Sequence, residues 1–258
     1  MRVAGSNILV TGASSGIGAA LAPMLAERGA TVGVVARREG RLREVLDACL
    51  PHAPGSRMWV HDLDDVEGSV RLALDAWDAF GHLDVIVHNA AVPSRRLIDD
   101  LTAEELDKTF RVNFFAPVRM TMALLPKMLE RDSGMIVNVS SLGGRLGIVH
   151  EAAYCATKFA LCGFSESMYI DLHGTGVDVR LVIPGAIDTE IWDSPETGPP
   201  IYEGPKEPPE VVAAGIIAAI EGDQFEHYVP DMLAIAEWKT SNSTEFLDSV
   251  AEGMKPRG

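Results

Sequence analysis

ILVTGASSGIG, residues 8–18, passes from an apolar run into a glycine-rich turn and then into a helical pattern. A short β-branched run bounded by glycine reads as a buried strand. Gly12, Gly16 and Gly18 fall where that strand becomes a helix. Glycine there allows a tight turn and a close approach of backbone to ligand, and the helix N-terminus favours negative charge. The stretch therefore reads as strand, turn and helix start, shaped to cradle a phosphate-bearing cofactor.

The same alternation continues outward. Apolar runs at 7–12, 30–36, 57–60, 83–89, 134–140, 177–183 and 225–229 are rich in Val and Ile, and several are apolar on both faces. That is the pattern of parallel strands covered by helices on both sides. Helical stretches are predicted at 16–28, 39–50, 66–79, 103–130, 151–173 and 209–221. The βαβα order predicts one doubly wound Rossmann-type α/β domain over residues 1–230, with a central parallel seven-stranded sheet. A tail, 231–258, is expected to pack on the same domain or on a partner subunit. One irregular stretch, 186–209, holds six prolines and reads as a functional loop that closes over ligands, with Gly198 and Gly204 as hinges.

Composition narrows the function. Apolar residues make up 47 % of the 258, enough for a large core, and 22 basic against 37 acidic residues give a net charge of −15. That balance argues against nucleic acid or an anionic membrane surface as partner. Three cysteines (Cys49, Cys155 and Cys162) are in keeping with a reducing cytosol. No signal peptide or membrane-spanning run is read, so a cytoplasmic protein is expected. The scattered histidines show no metal-ligand spacing, and no metal site is expected.

The second informative segment is YCATK, with Tyr154 and Lys158 four apart and so on one helix face. A phenol beside a fixed cation can exchange a proton near neutral pH while a nicotinamide exchanges a hydride. At the end of the second predicted strand, VVARREGRLR carries Arg37 and Arg38, where an acidic residue would grip the ribose of NAD. A guanidinium there suits a 2′-phosphate, so NADP(H) is favoured and NAD(H) is the alternative. Arg41 and Arg43 read as solvated helix residues.

Taken together, TGASSGIG, HDLDD (61–65), HNAA (88–91), VNFFAP, NVSSLGG, YCATK and IPGAIDT (183–189) resemble, in order, the motifs of the short-chain dehydrogenase/reductase family over roughly residues 5–230. The resemblance implies a catalytic set of Asn113, Ser141, Tyr154 and Lys158. Tyr154 would be the general acid or base, Ser141 would orient the substrate oxygen, and Asn113 would hold a water linking Lys158 to solvent. Lys158 would also bind the nicotinamide ribose and, with the oxidised nicotinamide, favour the phenolate. The implied cofactor residues are Gly12, Ser14, Ser15, Gly16, Ile17, Gly18, Arg37, Arg38, Asp62, Leu63, Asn89, Ala90, Tyr154, Lys158, Pro184, Gly185, Ile187 and Thr189. His88 and Ala91 depart from the family pattern and are expected near the nicotinamide wall.

The substrate pocket is expected to use Pro93, Ser94, Leu142, Val149, His150, Ile191, Trp192 and Tyr202, a mostly apolar set suited to a hydrophobic ketone or secondary alcohol. No cationic cluster for a coenzyme A thioester stands out, although Arg95, Arg96 and Arg145 could contribute to one. A non-catalytic dinucleotide sensor is the other class of reading. It is disfavoured because Tyr154 and Lys158 are both present. The resemblance further implies a homodimer or homotetramer, through apolar residues of the two long helices: Val118, Met122, Leu125 and Met128 in one, Phe159, Leu161, Phe164 and Met168 in the other.

Overall fold

A computed structural model of the chain describes residues 1–194 and 197–252. The seven predicted apolar runs all form strands: β1 (Asn7–Thr11), β2 (Thr31–Ala36), β3 (Arg57–Val60), β4 (Val85–His88), β5 (Gly134–Val139), β6 (Val177–Pro184) and β7 (Glu226–Val229). They make one sheet in the order β3-β2-β1-β4-β5-β6-β7. Every pairing is parallel. The chain order reverses between β1 and β4. In such sheets the crevice at the carboxyl ends of the strands beside that reversal is where ligands bind.

Two apolar layers cover the sheet because the central strands are apolar on both faces. Helices α1 (Gly16–Glu27), α2 (Glu39–Cys49) and α7 (Pro209–Glu221) pack on one side through Leu21, Leu25, Leu42 and Ile216. Helices α3 (Val66–Phe80), α5 (Ala116–Glu130) and α6 (Ala152–Asp171) pack on the other through Leu72, Trp77, Met120, Leu124 and Met168. Capping fixes where several of these helices begin and end. Asp65 accepts the Gly68 N–H at the start of α3, and Gly81, at φ +78°, ends it. Thr102 and Glu105 form a reciprocal capping box on α4 (Ala103–Phe110).

The expected single helix over 103–130 is interrupted. A π-helical turn, Arg111–Phe115, separates α4 from α5 and carries Asn113. The tail is helical as well, with α8 (Leu233–Ser241) followed by α9 (Ser243–Glu252). Phe246 is buried against Trp238, ring centroids 5.0 Å apart. Residues 253–258 of the tail, and 195–196 of the proline-rich loop, lie outside the described residues. Among the described residues no helix is long and apolar enough to cross a membrane.

The proline-rich loop is held down. Buried Arg95 donates hydrogen bonds to the carbonyls of Ile191, Trp192 and Gly198, between 2.8 and 3.1 Å. Trp192 stacks on Tyr202 and carries Lys206 over its ring. Arg95 is thus a clamp on this loop.

Candidate active site

Two adjoining cavities lie at the carboxyl end of the sheet. The first, about 840 Å³, is lined by Gly12, Ser14, Ser15, Gly16, Ile17, Arg37, Arg38, Asp62, Leu63, Asn89, Ala90 and Thr189. Sequence reasoning had named all of these. Gly18 sits beneath the turn rather than on the wall. A β-carbon at Gly18 would press on the Gly12 carbonyl and come within 2.7 Å of Asn89 Nδ2. At Gly12, with φ +70°, a β-carbon would lie 2.7 Å from Ala90 Cα. Asn89 locks this arrangement by donating from Nδ2 to the Thr11 carbonyl at 3.0 Å. The Thr11 hydroxyl accepts the N–H groups of Asn89 and Ala90.

The cavity fits a dinucleotide. Ser15, at the N-cap of α1, makes no side-chain cap, and the first turn of α1 has no acidic residue. Helix N–H groups left without partners favour phosphate. At the far end Arg37 faces Asp62 at 3.6 Å. Arg38 Nη1 donates to Glu190 Oε2 at 2.6 Å, and Arg41 pairs with the other Glu190 oxygen. The two arginines hold the Glu190 carboxyl below its usual range. An acid from a distant loop therefore meets these arginines, and Arg41, read as a solvated helix residue, is exposed and ion-paired as well. Glu190 is 149 residues from Arg41 in the chain, beyond the reach of a local sequence pattern.

The second cavity, about 630 Å³, shares Ile17, Asn89 and Thr189 with the first and holds Ser141, Tyr154 and Lys158. Pro184, Gly185 and Ile187, expected at the cofactor, line this second cavity. So do Pro93, Leu142, Val149, Ile191, Trp192 and Tyr202, all expected at the substrate. Ser94 faces the first cavity instead. His150 is corrected: it takes φ +60°, gives its carbonyl to the Arg96 N–H at 2.7 Å, and lines neither cavity, while Ile148 and Glu151 do line the second. The tail adds Phe246 and Val250 to the wall.

Tyr154 is buried, and burial pushes its phenol far above its usual value, while the neighbouring Ser141 hydroxyl pulls the other way. The expected pull toward phenolate is thus not what dominates in the protein alone. Lys158 explains why. Its ammonium donates to the Val139 carbonyl at 3.0 Å and lies 5.7 Å from the centre of the Tyr154 ring. Burial brings its own pKa down to about 8. Ser140 is spent elsewhere, donating to the Lys158 carbonyl at 3.2 Å, which leaves Ser141 beside the phenol.

Asn113 accepts the Val92 N–H at 2.8 Å and donates to the Val92 carbonyl and to Thr157 Oγ1. Its amide ties the π-helical turn to the loop after β4 and to α6, so these contacts make it a brace. His88 is corrected too. It is buried on β4, faces Thr121 of α5 at 2.9 Å and lines neither cavity. Burial drops its pKa to about 3, which keeps it neutral. Of the arginines weighed for a thioester's anionic carrier, Arg145 pairs with Glu166 and Glu226, and Arg96 pairs with Glu105.

The family model described as short chain dehydrogenase matches residues 6–198. An uncharacterized oxidoreductase of Bacillus subtilis is 37 % identical over 230 residues, 86 % of this chain and 64 % of the relative. This chain therefore spans less than two thirds of that relative's length. Ketoacyl reductase HetN of Nostoc is 32 % identical over 86 % of this chain and 77 % of its own. A short chain dehydrogenase of Burkholderia cenocepacia solved in complex with NADP superposes with a TM-score of 0.80 at 28 % identity, covering 97 % of this chain and 99 % of that one.

Proposed function

The chain belongs to the short chain dehydrogenase family, and from that membership we propose that it is an NADP(H)-dependent oxidoreductase interconverting a hydrophobic ketone and a secondary alcohol. The observation that carries this reading is the convergence of Ser141, Tyr154 and Lys158 on one apolar-walled cavity that opens into the dinucleotide cleft. The cofactor, when bound, supplies or accepts the hydride. The protonated Tyr154 phenol gives its proton to the carbonyl oxygen during reduction and regains it from solvent. Ser141 Oγ holds that oxygen toward Tyr154. Lys158 keeps a positive charge beneath the ring and stabilises the phenolate left behind. Leu142, Val149, Ile191 and Trp192 exclude water around the reacting carbon. The direct test is titration of NADPH and NADH by fluorescence, followed by a screen of ketones and secondary alcohols. Binding of neither nucleotide would end the proposal.

The preference for NADP(H) rests on Arg37 and Arg38. NADH remains the second reading because Asp62 and Glu190 already oppose the arginine charge. If a 2′-phosphate replaces Glu190 on Arg38, Glu190→Gln should tighten NADPH by up to about fivefold, the scale of one exposed ion pair. NADH should be unaffected. Unchanged or weaker NADPH binding in the same titration would remove Glu190 from the phosphate site.

We further propose a cytoplasmic homodimer or homotetramer. Of the helix residues expected at a subunit contact, Met128, Leu161 and Met168 are buried within the chain. Met122 on α5 and Phe159 on α6 remain exposed, and Ile170 on α6 is 71 % exposed. Light scattering should give at least twice the 27.7 kDa chain mass, and Met122→Glu with Ile170→Glu should lower it. A monomeric wild type would refute the assembly.

A further inference from the structure

The substrate cavity is mostly apolar, and one nearly buried carboxyl on its wall belongs to none of the catalytic groups. Glu151 stands immediately before α6 and is 9 % exposed. It lines the same cavity as Tyr154, three residues on and so on the same helix face. Its carboxyl does not cap the helix. It makes no hydrogen bond or ion pair with any described residue. The nearest cation in charge terms is Arg95, which attracts it. The Arg95 donors are spent on the carbonyls of Ile191, Trp192 and Gly198. Lys158 is occupied by Val139. The other acid on the wall, Glu207, is exposed.

Glu151 is nearly buried, but its carboxyl oxygens are not sealed inside the protein: among the described residues the one fully buried side-chain N or O atom without a partner is His88 Nδ1, so the Glu151 carboxyl opens onto the cavity it lines. Partial burial raises its pKa to about 7, against the pull of Arg95. An apolar residue would serve a purely hydrophobic substrate better. Among the described residues the cavity therefore offers the substrate a carboxyl acceptor, while its two cations, Arg95 and Lys158, are held by backbone carbonyls.

We infer that Glu151 reads the substrate: the ketone or alcohol turned over at Tyr154 carries a hydrogen-bond donor, a hydroxyl or a protonated amine, a few atoms from its reacting carbon. This rests on the proposed ketone–alcohol activity and specifies its substrate class. A donor there satisfies the carboxyl, and a methyl group of the same size leaves it stranded. Discrimination between the two is at least about tenfold in kcat/KM, the scale of one charge-assisted hydrogen bond.

The test uses matched ketones bearing hydroxyl, amine or methyl at successive positions from the carbonyl, with NADPH, on wild type, Glu151→Gln and Glu151→Leu. Wild type should prefer one donor-bearing ketone over its methyl partner by at least about tenfold. Glu151→Leu should reverse that ratio, lowering kcat/KM for the donor ketone and raising it for the methyl one. Glu151→Gln, near in shape, should keep preference for a hydroxyl and lose it for an amine, which separates the two donors. A mere packing role would shift both ketones together and leave the ratio alone. Turnover of methyl ketones without a donor preference in wild type, or a preference that survives Glu151→Leu, overturns this inference alone. No turnover of any ketone or corresponding alcohol by wild type overturns the proposed activity and this inference with it.

Discussion

Tyr154→Phe should abolish most turnover while leaving the fold and the cofactor cleft intact. The substitution removes one hydroxyl from a buried ring that lines the substrate cavity with Ser141 and not the cavity of the glycine turn. The ring stays over the Lys158 ammonium and keeps its place in the cavity wall. Turnover should fall at least about 100-fold, the usual scale for a lost general acid. NADPH affinity should stay within about twofold, because none of the first cavity's lining residues changes. Steady-state kinetics and a fluorescence titration on the same preparation measure both. Near-normal turnover would remove Tyr154 from its role, and a collapse of NADPH binding would make that role structural.

Lys158→Met should be as damaging to turnover and should not destabilise the protein at neutral pH. Lys158 is 2 % exposed, and its burial moves its pKa from an ordinary 10.5 to about 8. At about 1.4 kcal/mol per pH unit, holding it charged costs the folded state about 3 kcal/mol. A methionine of similar shape removes that cost and loses the hydrogen bond to Val139, a smaller term of about 1 kcal/mol. Between pH 8 and 10.5 the unfolded chain keeps the proton that the folded chain releases, so wild-type stability gains with pH across this window. The variant lacks that gain, and the two denaturation midpoints should converge as pH rises from 8 to 10.5. Turnover should fall by about 100-fold or more at neutral pH. A variant clearly less stable than wild type at pH 7 would mean that Lys158 is held for the fold rather than for the site.

The sheet was legible because its signal is local. β1, β2 and β5 are largely apolar on both faces, and their lengths and glycine boundaries leave little choice. The glycine turn and the Tyr154–Lys158 pair are legible for the same reason: each is a contiguous segment whose chemistry depends on spacing. What escaped is what depends on distant partners. The interruption carries Asn113, whose amide meets Val92 from 21 residues away. Glu190 meets Arg38 from 152 residues away. Both helices of the tail owe their place to Phe246 and Trp238 packing together, a pairing weakly marked among polar residues. His150 turned away because the chain there takes a positive φ, and the neighbouring Glu151, three residues before Tyr154, was the signal overlooked. An acid beside a catalytic phenol in an otherwise apolar segment could have been found from the sequence.

The central claim is that this chain moves hydride between a nicotinamide and a carbonyl carbon, with Tyr154 handling the proton. Its most direct measurement is isotope transfer from NADPH deuterated at C4 of the dihydronicotinamide, each epimer in turn, to a panel of ketones, read by mass spectrometry of the alcohols. One epimer should deliver one deuterium to the carbinol carbon with wild type, and Tyr154→Phe should deliver it at least about 100-fold more slowly. Wild-type protein that binds NADPH yet labels no alcohol, or labels it as fast after Tyr154→Phe, would contradict the account.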